Sequence, residues 1–239
     1  LKKFPKHEKA TSARIGLGLS LYAAGEHAEA IPILQKLAQD KKLPQQGEIQ
    51  RMLAQSQLKT GKADAAEASF IAARKSAGDD DARLKAEAGL CESLYQQKKW
   101  VELIKYGEKI MASKGPLAER VRYQRGMAQF ESKTYADAIK TLEPFAKLLK
   151  DSPFAHYGQF LLAESARHAA DHPKAHEVHQ QVVKGPKGPH SADAAYLLGF
   201  VSFTMDQHDL AILELEGFIK ANKDHSHVPM ANLLLGRSY

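Results

Sequence analysis

The sequence contains very little cysteine and no long hydrophobic run. Cys91 is the only cysteine in 239 residues, so an intramolecular disulfide is impossible and cysteine pairing gives no information about the redox compartment. No apolar run approaches the ~18 residues that a membrane-spanning helix needs, so no membrane span is expected. Because the sequence opens with Leu1 and closes at Tyr239 inside a predicted helix, we expect a processed or excised piece of a longer protein.

The sequence also lacks the motifs of common enzyme sites. It has no GxSxG nucleophile motif, no P-loop, no GxGxxG dinucleotide fingerprint and no HExxH zinc motif. Reaction classes that depend on these motifs therefore find no support in the sequence.

Positively charged residues only slightly outnumber negatively charged ones. The formal net charge is +6 and the pI is about 9.2, which is mildly basic and not the profile of a dedicated nucleic-acid-binding protein. Much of the positive charge lies at predicted turns and junctions, as in Lys98-Lys99, Lys184 and Lys187. Solvent exposure is the ordinary explanation for such charges, so nucleic-acid binding is kept only as an alternative.

Small residues, usually preceded by leucine, recur along the chain at intervals of 35 to 37 residues. This row consists of Gly18, Ala54, Cys91, Gly126, Ala163, Gly199 and Gly236. A second row follows twelve residues later each time and consists of Ala30, Ala66, Leu103, Ala138, Ala175 and Ala211. Two rows in lockstep predict helix pairs that bury a continuous core by stacking on their neighbours. Cys91 belongs to the first row, so we expect a buried packing residue and not a nucleophile.

Four stretches of the sequence resemble the tetratricopeptide repeat (TPR) family. They are LGLSLYAAGEHAEAI (17–31), LAQSQLKTGKADAAEASF (53–70), GMAQFESKTYADAI (126–139) and LGFVSFTMDQHDLAI (198–212). The resemblance covers nearly the whole chain and implies an all-α, right-handed superhelical solenoid of antiparallel helix pairs. The pattern departs from the family at Leu103, Gly107 and His179, where we expect looser packing.

The periodicity also predicts how the chain is divided. We expect a lead-in segment over residues 1–10 and a single TPR array over 11–239. The predicted repeats lie near 11–46, 47–83, 84–118, 119–155, 156–191 and 192–228, with a partial seventh repeat at 229–239. The last helix carries Leu233, Leu234 and Leu235 with no second helix to cover them, so we expect self-association through this helix or a continuation of the chain.

Local signals predict several helix ends and two kinks. Residues 79–81 are aspartates, which suit a helix N-terminus electrostatically, and Pro173 falls where a helix start tolerates proline. An aspartate in the stretch 206–209 is predicted to be an N-cap. Pro144 is expected to kink its helix, because proline removes a backbone hydrogen bond, and Pro32 is expected to do the same unless it falls in the first turn.

Histidines are concentrated in the fifth repeat, at positions His168, His172, His176 and His179. His176 and His179 are one helical turn apart, a spacing that can chelate zinc or nickel. No cysteine or HExxH motif accompanies them, so polar surface histidines with one partly packed member are the preferred interpretation. No metal ligand is predicted, and a metal-binding module is kept as an alternative function.

A third row of residues lies on the first helices, rotated away from the small-residue row. In repeats four to six the candidate partner-binding residues are Arg120, Tyr123, Met127, Phe130, Tyr157, Phe160, Arg167, Tyr196, Phe200 and Phe203. The TPR resemblance implies that this face lines a concave groove in which a protein or peptide partner binds. Packing between adjacent first helices is the alternative role for the aromatic residues. Arg120 and Arg167 would attract an acidic residue of the partner.

These patterns predict a non-enzymatic scaffold for protein–protein interaction, without catalytic residues or a cofactor. Missing motifs alone do not exclude an enzyme, but repeat packing leaves few residues for an active site. In repeat length and in prolines near the junctions, the chain is also similar, more weakly, to bacterial cell-envelope TPR proteins of the Tol-Pal or outer-membrane-assembly type. That similarity favours the periplasm or cell envelope over the cytoplasm.

Overall fold

The computed structural model describes residues 10–40, 42–43, 45–147 and 152–239. The predicted lead-in segment therefore lies outside the described residues except for Ala10, which begins the first helix. The chain divides into two compact units, residues 1–113 and 114–239. In the described part of both units, all regular secondary structure is helical, which confirms the predicted fold class.

The described residues of the first unit form seven helices. They are α1 Ala10–Ala23, α2 His27–Ala38, α3 Gln46–Lys59, α4 Ala63–Lys75, α5 Asp80–Gln96, α6 Trp100–Leu103 and α7 Glu108–Met111. From α1 to α6, each helix packs against the next one along the chain. The first helices of neighbouring pairs, α3 and α5, also meet, which is the contact pattern of a helical solenoid.

The second unit repeats this arrangement. Its helices are α8 Pro116–Glu131, α9 Tyr135–Leu142, α10 Ala155–His168, α11 His172–Lys184, α12 Ser191–Thr204, α13 His208–Ala221 and α14 Val228–Ser238. Consecutive helices pack along the unit, and α8 meets α10 as α12 meets α14. No helix among the described residues of the two units is both long enough and apolar enough to cross a membrane.

The two rows of small residues lie where helices approach one another. A Cβ atom added to Gly126 would come 2.4 Å from the side chain of Leu142, and one added to Gly199 would come 2.7 Å from Leu215. The second row, from Ala30 to Ala211, is fully buried at every position. Cys91 is fully buried as well, which confirms its predicted packing role.

Two of the predicted helix starts are confirmed. Asp79 is the N-cap of α5, and its Oδ1 accepts a hydrogen bond of 2.7 Å from the backbone N–H of Ala82. Asp171 caps α11 by accepting a 3.3 Å hydrogen bond from the N–H of Lys174, and Pro173 lies in the first turn of that helix.

The predicted aspartate N-cap in the stretch 206–209 is wrong. The N-cap of α13 is Gln207, which makes no side-chain capping hydrogen bond. Asp206 instead has a φ of 58° and forms the left-handed position of the turn. Its short polar side chain tolerates that conformation better than most residues do.

The two internal prolines behave differently. α2 continues through Pro32 from His27 to Ala38. At Pro144 the α-helix is interrupted, because α9 ends at Leu142 and a 3-10 helix follows over Glu143–Lys147. Proline restricts the residue before it and cannot donate a backbone hydrogen bond, which explains the change of helix type.

Two of the three departures from the repeat pattern, Leu103 and His179, are fully buried. In the third repeat the second helix is broken into α6 and α7, and Gly107 lies between them with a φ of 86°. Leu103 and Ile110, on the two pieces, are nevertheless fully buried. In the fifth repeat His179 is also fully buried. The expected loosening at Leu103 and His179 is therefore wrong, because both side chains fill the space between helices.

Candidate partner-binding site

The ten predicted partner-binding residues all lie on the first helices of the second unit. Helix α8 carries Arg120, Tyr123, Met127 and Phe130, helix α10 carries Tyr157, Phe160 and Arg167, and helix α12 carries Tyr196, Phe200 and Phe203. Their spacing of three, four or seven residues within each helix places them on one side of that helix. The structure gathers half of them into one pocket and distributes the rest.

Helices α8 and α10 form a concave pocket of about 240 Å³, which we call the α8–α10 pocket. Five of the predicted residues line it: Tyr123, Met127, Phe130, Tyr157 and Phe160. The remaining lining residues are Glu131, Leu161, Glu164 and His190. The pocket is therefore largely aromatic and contains two carboxylates.

The rings in this pocket contact one another at their edges and faces. Tyr123 meets Tyr157 edge to face at 6.2 Å between ring centroids, and Phe160 stacks on His190 at 4.4 Å. Tyr157 is the most accessible of these aromatics, with 39% of its surface exposed. Edge-to-face and stacked arrangements of this kind are the preferred geometries of aromatic pairs.

Tyr196 does not have the accessibility expected of an anchor. Only 7% of its surface is exposed, because its ring stacks on His227 at 4.4 Å and also meets Phe218 at 5.7 Å. Burial raises the pKa of its hydroxyl. In this chain Tyr196 therefore packs α12 against α13 and the start of α14.

Phe200 and Phe203 are half-buried, and each ring packs against the guanidinium group of an arginine. Both pack against the apolar core between α12, α13 and α14. The guanidinium carbon of Arg167 lies 6.0 Å from the ring centre of Phe200, and that of Arg237 lies 5.4 Å from Phe203. The packing role that the sequence left open accounts for much of their surface.

Arg167 is already paired within the chain. Its Nε and one terminal nitrogen donate to the two carboxylate oxygens of Glu164, each over 2.9 Å. This hydrogen bonding raises the pKa of Arg167. Such a bidentate ion pair balances most of the positive charge of the guanidinium. Arg167 therefore has less attraction for an acidic partner than the sequence suggested.

Glu164 also links α10 to α11 through a second contact. Its Oε1 also lies 3.4 Å from Nε2 of the fully buried His179. Burial alone would raise the pKa of Glu164, but the nearby ring of His179 and the hydrogen bonds and charge of Arg167 outweigh it and lower the pKa to about 2. The carboxylate is therefore ionised throughout the physiological range.

Arg120 lies apart from the pocket. It is half-buried on α8 and is not one of the residues that line the α8–α10 pocket. Its Nε is shielded from solvent, and this atom has no hydrogen-bond partner among the described residues. A direct electrostatic role of Arg120 in the pocket thus has no support from its position.

The histidines of the fifth repeat are dispersed among separate contacts. His176 Nε2 meets the carboxylate of Glu214 at 2.9 Å, whereas His168 stacks on Tyr135 at 5.1 Å. Within the ranges that the structure describes, no group of three or more histidine, cysteine, aspartate or glutamate side chains is arranged to hold a metal ion. The spacing of His176 and His179 reflects helix packing, since the two residues face different partners.

Four residues that line the pocket were not predicted as site residues: Glu131, Leu161, Glu164 and His190. His190 comes from the junction before α12, and Glu131 is the last residue of α8. Helical periodicity gives no position for a residue in a junction, so His190 carried no signal in the sequence. Glu131 lies one residue after Phe130. It was not included in the third row, because that row was chosen by helical spacing.

Comparison with known proteins agrees with the helical-repeat fold. Residues 21–91 match the model of the tetratricopeptide repeat family. Residues 21–91 therefore contain tetratricopeptide repeats. Outside this range, helix pairs of the same kind continue through the second unit, and the similarity there is one of fold. No curated protein matches the TPR chain significantly.

Several solved structures share the TPR fold of the chain. PilF from Pseudomonas aeruginosa is 17% identical, with a TM-score of 0.59 over 95% of this chain and 98% of that one. MamA from Desulfovibrio magneticus RS-1 is 16% identical, with a TM-score of 0.58 over 75% of this chain and 97% of that one. A tetratricopeptide repeat protein from Parabacteroides merdae is 11% identical, with a TM-score of 0.58 over 96% and 99% of the two chains. At these identities the likeness shows the fold alone.

Proposed function

We propose that the TPR chain is a non-enzymatic scaffold that binds an extended peptide segment of a partner protein along the first helices of its second unit. TPR arrays generally mediate protein–protein interaction, since stacked repeats present long binding surfaces. The observation that carries the proposal is the α8–α10 pocket, in which five of the predicted residues come together around the exposed ring of Tyr157.

The dimensions of the first helices suit a short extended peptide. Neighbouring packed helices lie ~8–10 Å apart, so three of them span ~20 Å. An extended segment of about six residues covers that length at ~3.3 Å per residue. A peptide of this size would place one side chain in the α8–α10 pocket while its backbone continues across the adjacent helices.

A library of random hexapeptides displayed on phage provides a direct test of this proposal. Peptides selected on the purified chain would be synthesised, and their affinities would be measured for the wild type and for Tyr157→Ala. Because Tyr157 is exposed in the pocket, its loss should weaken binding by roughly 1–3 kcal/mol, the usual range for an interface aromatic. The melting temperature should stay nearly unchanged.

Two further variants make the result specific. Leu213→Ala removes an apolar side chain that is 68% exposed on α13, outside the pocket, and should leave the affinity unchanged. Phe200→Ala with Phe203→Ala should lower the melting temperature first, because both rings pack against the core of α12 to α14. Peptides whose affinity is insensitive to Tyr157→Ala would contradict the assignment of the pocket.

Self-association through α14 stays a separate prediction. Met230 and Leu233 on this helix are 47% and 55% exposed, whereas Leu234 between the helices is buried. The exposed pair offers an apolar contact to a second helix. The peptide-binding proposal does not depend on it, because α14 contributes no residue to the α8–α10 pocket.

A further inference from the structure

The α8–α10 pocket combines aromatic walls with negative charge. Of the side chains that line it, the two acidic ones are Glu131 and Glu164, and none is lysine or arginine. Glu164 is largely matched by Arg167. Glu131 is exposed at the end of α8, and no ion pair joins it to another residue in the described ranges. One carboxylate at the pocket is therefore without a cation.

The aromatic walls reinforce this preference for positive charge. The faces of tyrosine and phenylalanine rings carry partial negative charge and attract a cation within about 6 Å. Tyr123, Phe130, Tyr157 and Phe160 contribute such rings, and Met127 adds a polarizable apolar surface. A volume of about 240 Å³ accommodates one long side chain.

We propose that the α8–α10 pocket receives a lysine or arginine side chain of the partner peptide. The aliphatic part of that side chain would pack between the rings, and its charged end would pair with the carboxylate of Glu131. This inference rests on the proposed peptide-binding function and specifies the chemistry of its main anchor. It replaces the acidic anchor that the sequence suggested, because Arg167 is paired with Glu164 and Arg120 lies outside the pocket.

The net charge of the chain works against a preference for basic peptides. With a formal net charge of +6, long-range electrostatics would by itself enrich acidic peptides. Enrichment of basic residues would run against that field and would have to come from a local site. The composition of the selected hexapeptides therefore distinguishes the pocket from general attraction.

The same random hexapeptide library provides the probe. We expect lysine or arginine to dominate one position among the peptides that bind the wild type. For a synthetic peptide of this kind, Glu131→Gln should weaken binding roughly two- to fivefold, which corresponds to one exposed ion pair. Glu131→Lys should remove the enrichment of basic residues from a repeated selection. Glu177→Gln changes an exposed carboxylate on α11 outside the pocket and should leave the affinity unchanged.

The possible failures have different meanings. If no peptide binds the folded chain, the proposed function and this inference are both wrong. If peptides bind and depend on Tyr157 but show no basic preference, the function stands and the inference is wrong. If basic residues are enriched and Glu131→Gln has no effect, the basic residue binds elsewhere and the inference is again wrong. Because Glu131 is exposed, its substitution tests binding without a change in the core.

Discussion

At the scale of single residues, each regular hairpin turn of the chain places one residue in the left-handed region of φ. This residue follows the small-residue row by seven positions every time. The residues are Gly25, Gly61, Lys98, Lys133, Ala170 and Asp206, with φ between 56° and 79°. Glycine occupies the position in the first two turns at little steric cost, whereas the other four residues carry a Cβ that this conformation disfavours.

Replacing Ala170 by glycine should therefore stabilise the chain. Relief of the left-handed conformation contributes ~1–2 kcal/mol, and the greater freedom of glycine in the unfolded state offsets about 0.5–1 kcal/mol of it. A net gain of roughly 0.5–1 kcal/mol in the free energy of unfolding is expected, measured by urea denaturation. The matched control is Ala169→Gly, because Ala169 is also exposed but has a φ of -82°, and it should be neutral or destabilising.

Glu164 should make the stability of the chain depend on pH in the acidic range. Its pKa in the folded chain is about 2, below the ~4.3 of an unfolded glutamate. The stabilisation is therefore fully present above pH ~4.3 and is lost as the pH falls towards 2. Unfolding monitored by circular dichroism at several pH values should show this decline.

The variant Glu164→Gln isolates that contribution. It should destabilise the chain by roughly 1–3 kcal/mol at pH 7, since the buried His179 and the guanidinium group of Arg167 lose a charged partner. The difference from the wild type should shrink between pH 4.3 and 2. Glu29→Gln, at an exposed position on α2, serves as the control. A difference between Glu164→Gln and the wild type that stays constant over this range would contradict the assignment.

At the scale of elements, the approach of the two helices in a pair depends on a missing side chain. Gly126 faces Leu142, which is fully buried and cannot move away without disturbing its neighbours. Gly217 on α13 has open space around it, with no atom within 4 Å of an added Cβ. The two helical glycines therefore provide a matched pair with opposite expectations.

Gly126→Ala should destabilise the chain by roughly 1–3 kcal/mol, because the new methyl group would overlap the side chain of Leu142. Gly217→Ala should stabilise it by roughly 0.5–1 kcal/mol, because alanine loses less backbone freedom in a helix. Thermal unfolding of both variants measures the contrast. Equal effects of the same sign would show that the small-residue row does not set the distance between helices.

The sequence was sufficient to predict these elements where periodicity controls packing. The two lockstep rows predicted the helix pairs, because a buried contact repeats whenever the repeat does. The break at Gly107 was not predicted. At this break, the carboxylate of Glu87 accepts a 2.9 Å hydrogen bond from the N–H of Gly107 and pairs with Arg74 at 2.8 Å. Contacts between residues 20 positions apart in a non-repeating arrangement leave no periodic signal.

The candidate site could be predicted only in part for the same reason. Spacing selected Tyr123, Phe130 and Tyr157, which the helices bring together. It could not indicate that His227 covers Tyr196 or that Glu164 engages Arg167. The first contact comes from a junction without periodicity, and the second is one of several partners that an arginine on a helix can reach.

At the scale of the whole molecule, stability should be distributed along the chain. Consecutive helices pack mainly against their immediate neighbours within each unit, so no single central core holds the fold together. A globular protein of similar length would instead lose its cooperative fold when about a fifth of it is removed, because its core draws on the entire chain.

Deleting residues 192–239 tests this distribution. The deletion removes α12, α13 and α14 and exposes the side of α11 that packs against α12. Fraying should therefore be confined to α10 and α11, while α1 to α9 stay folded. The helical signal in circular dichroism should fall mainly by the share of the deleted helices, and hydrogen exchange should remain slow in α3 and α4. Complete loss of helicity would contradict the solenoid, because in a stack of neighbours the removal of one end leaves the contacts at the other end unchanged.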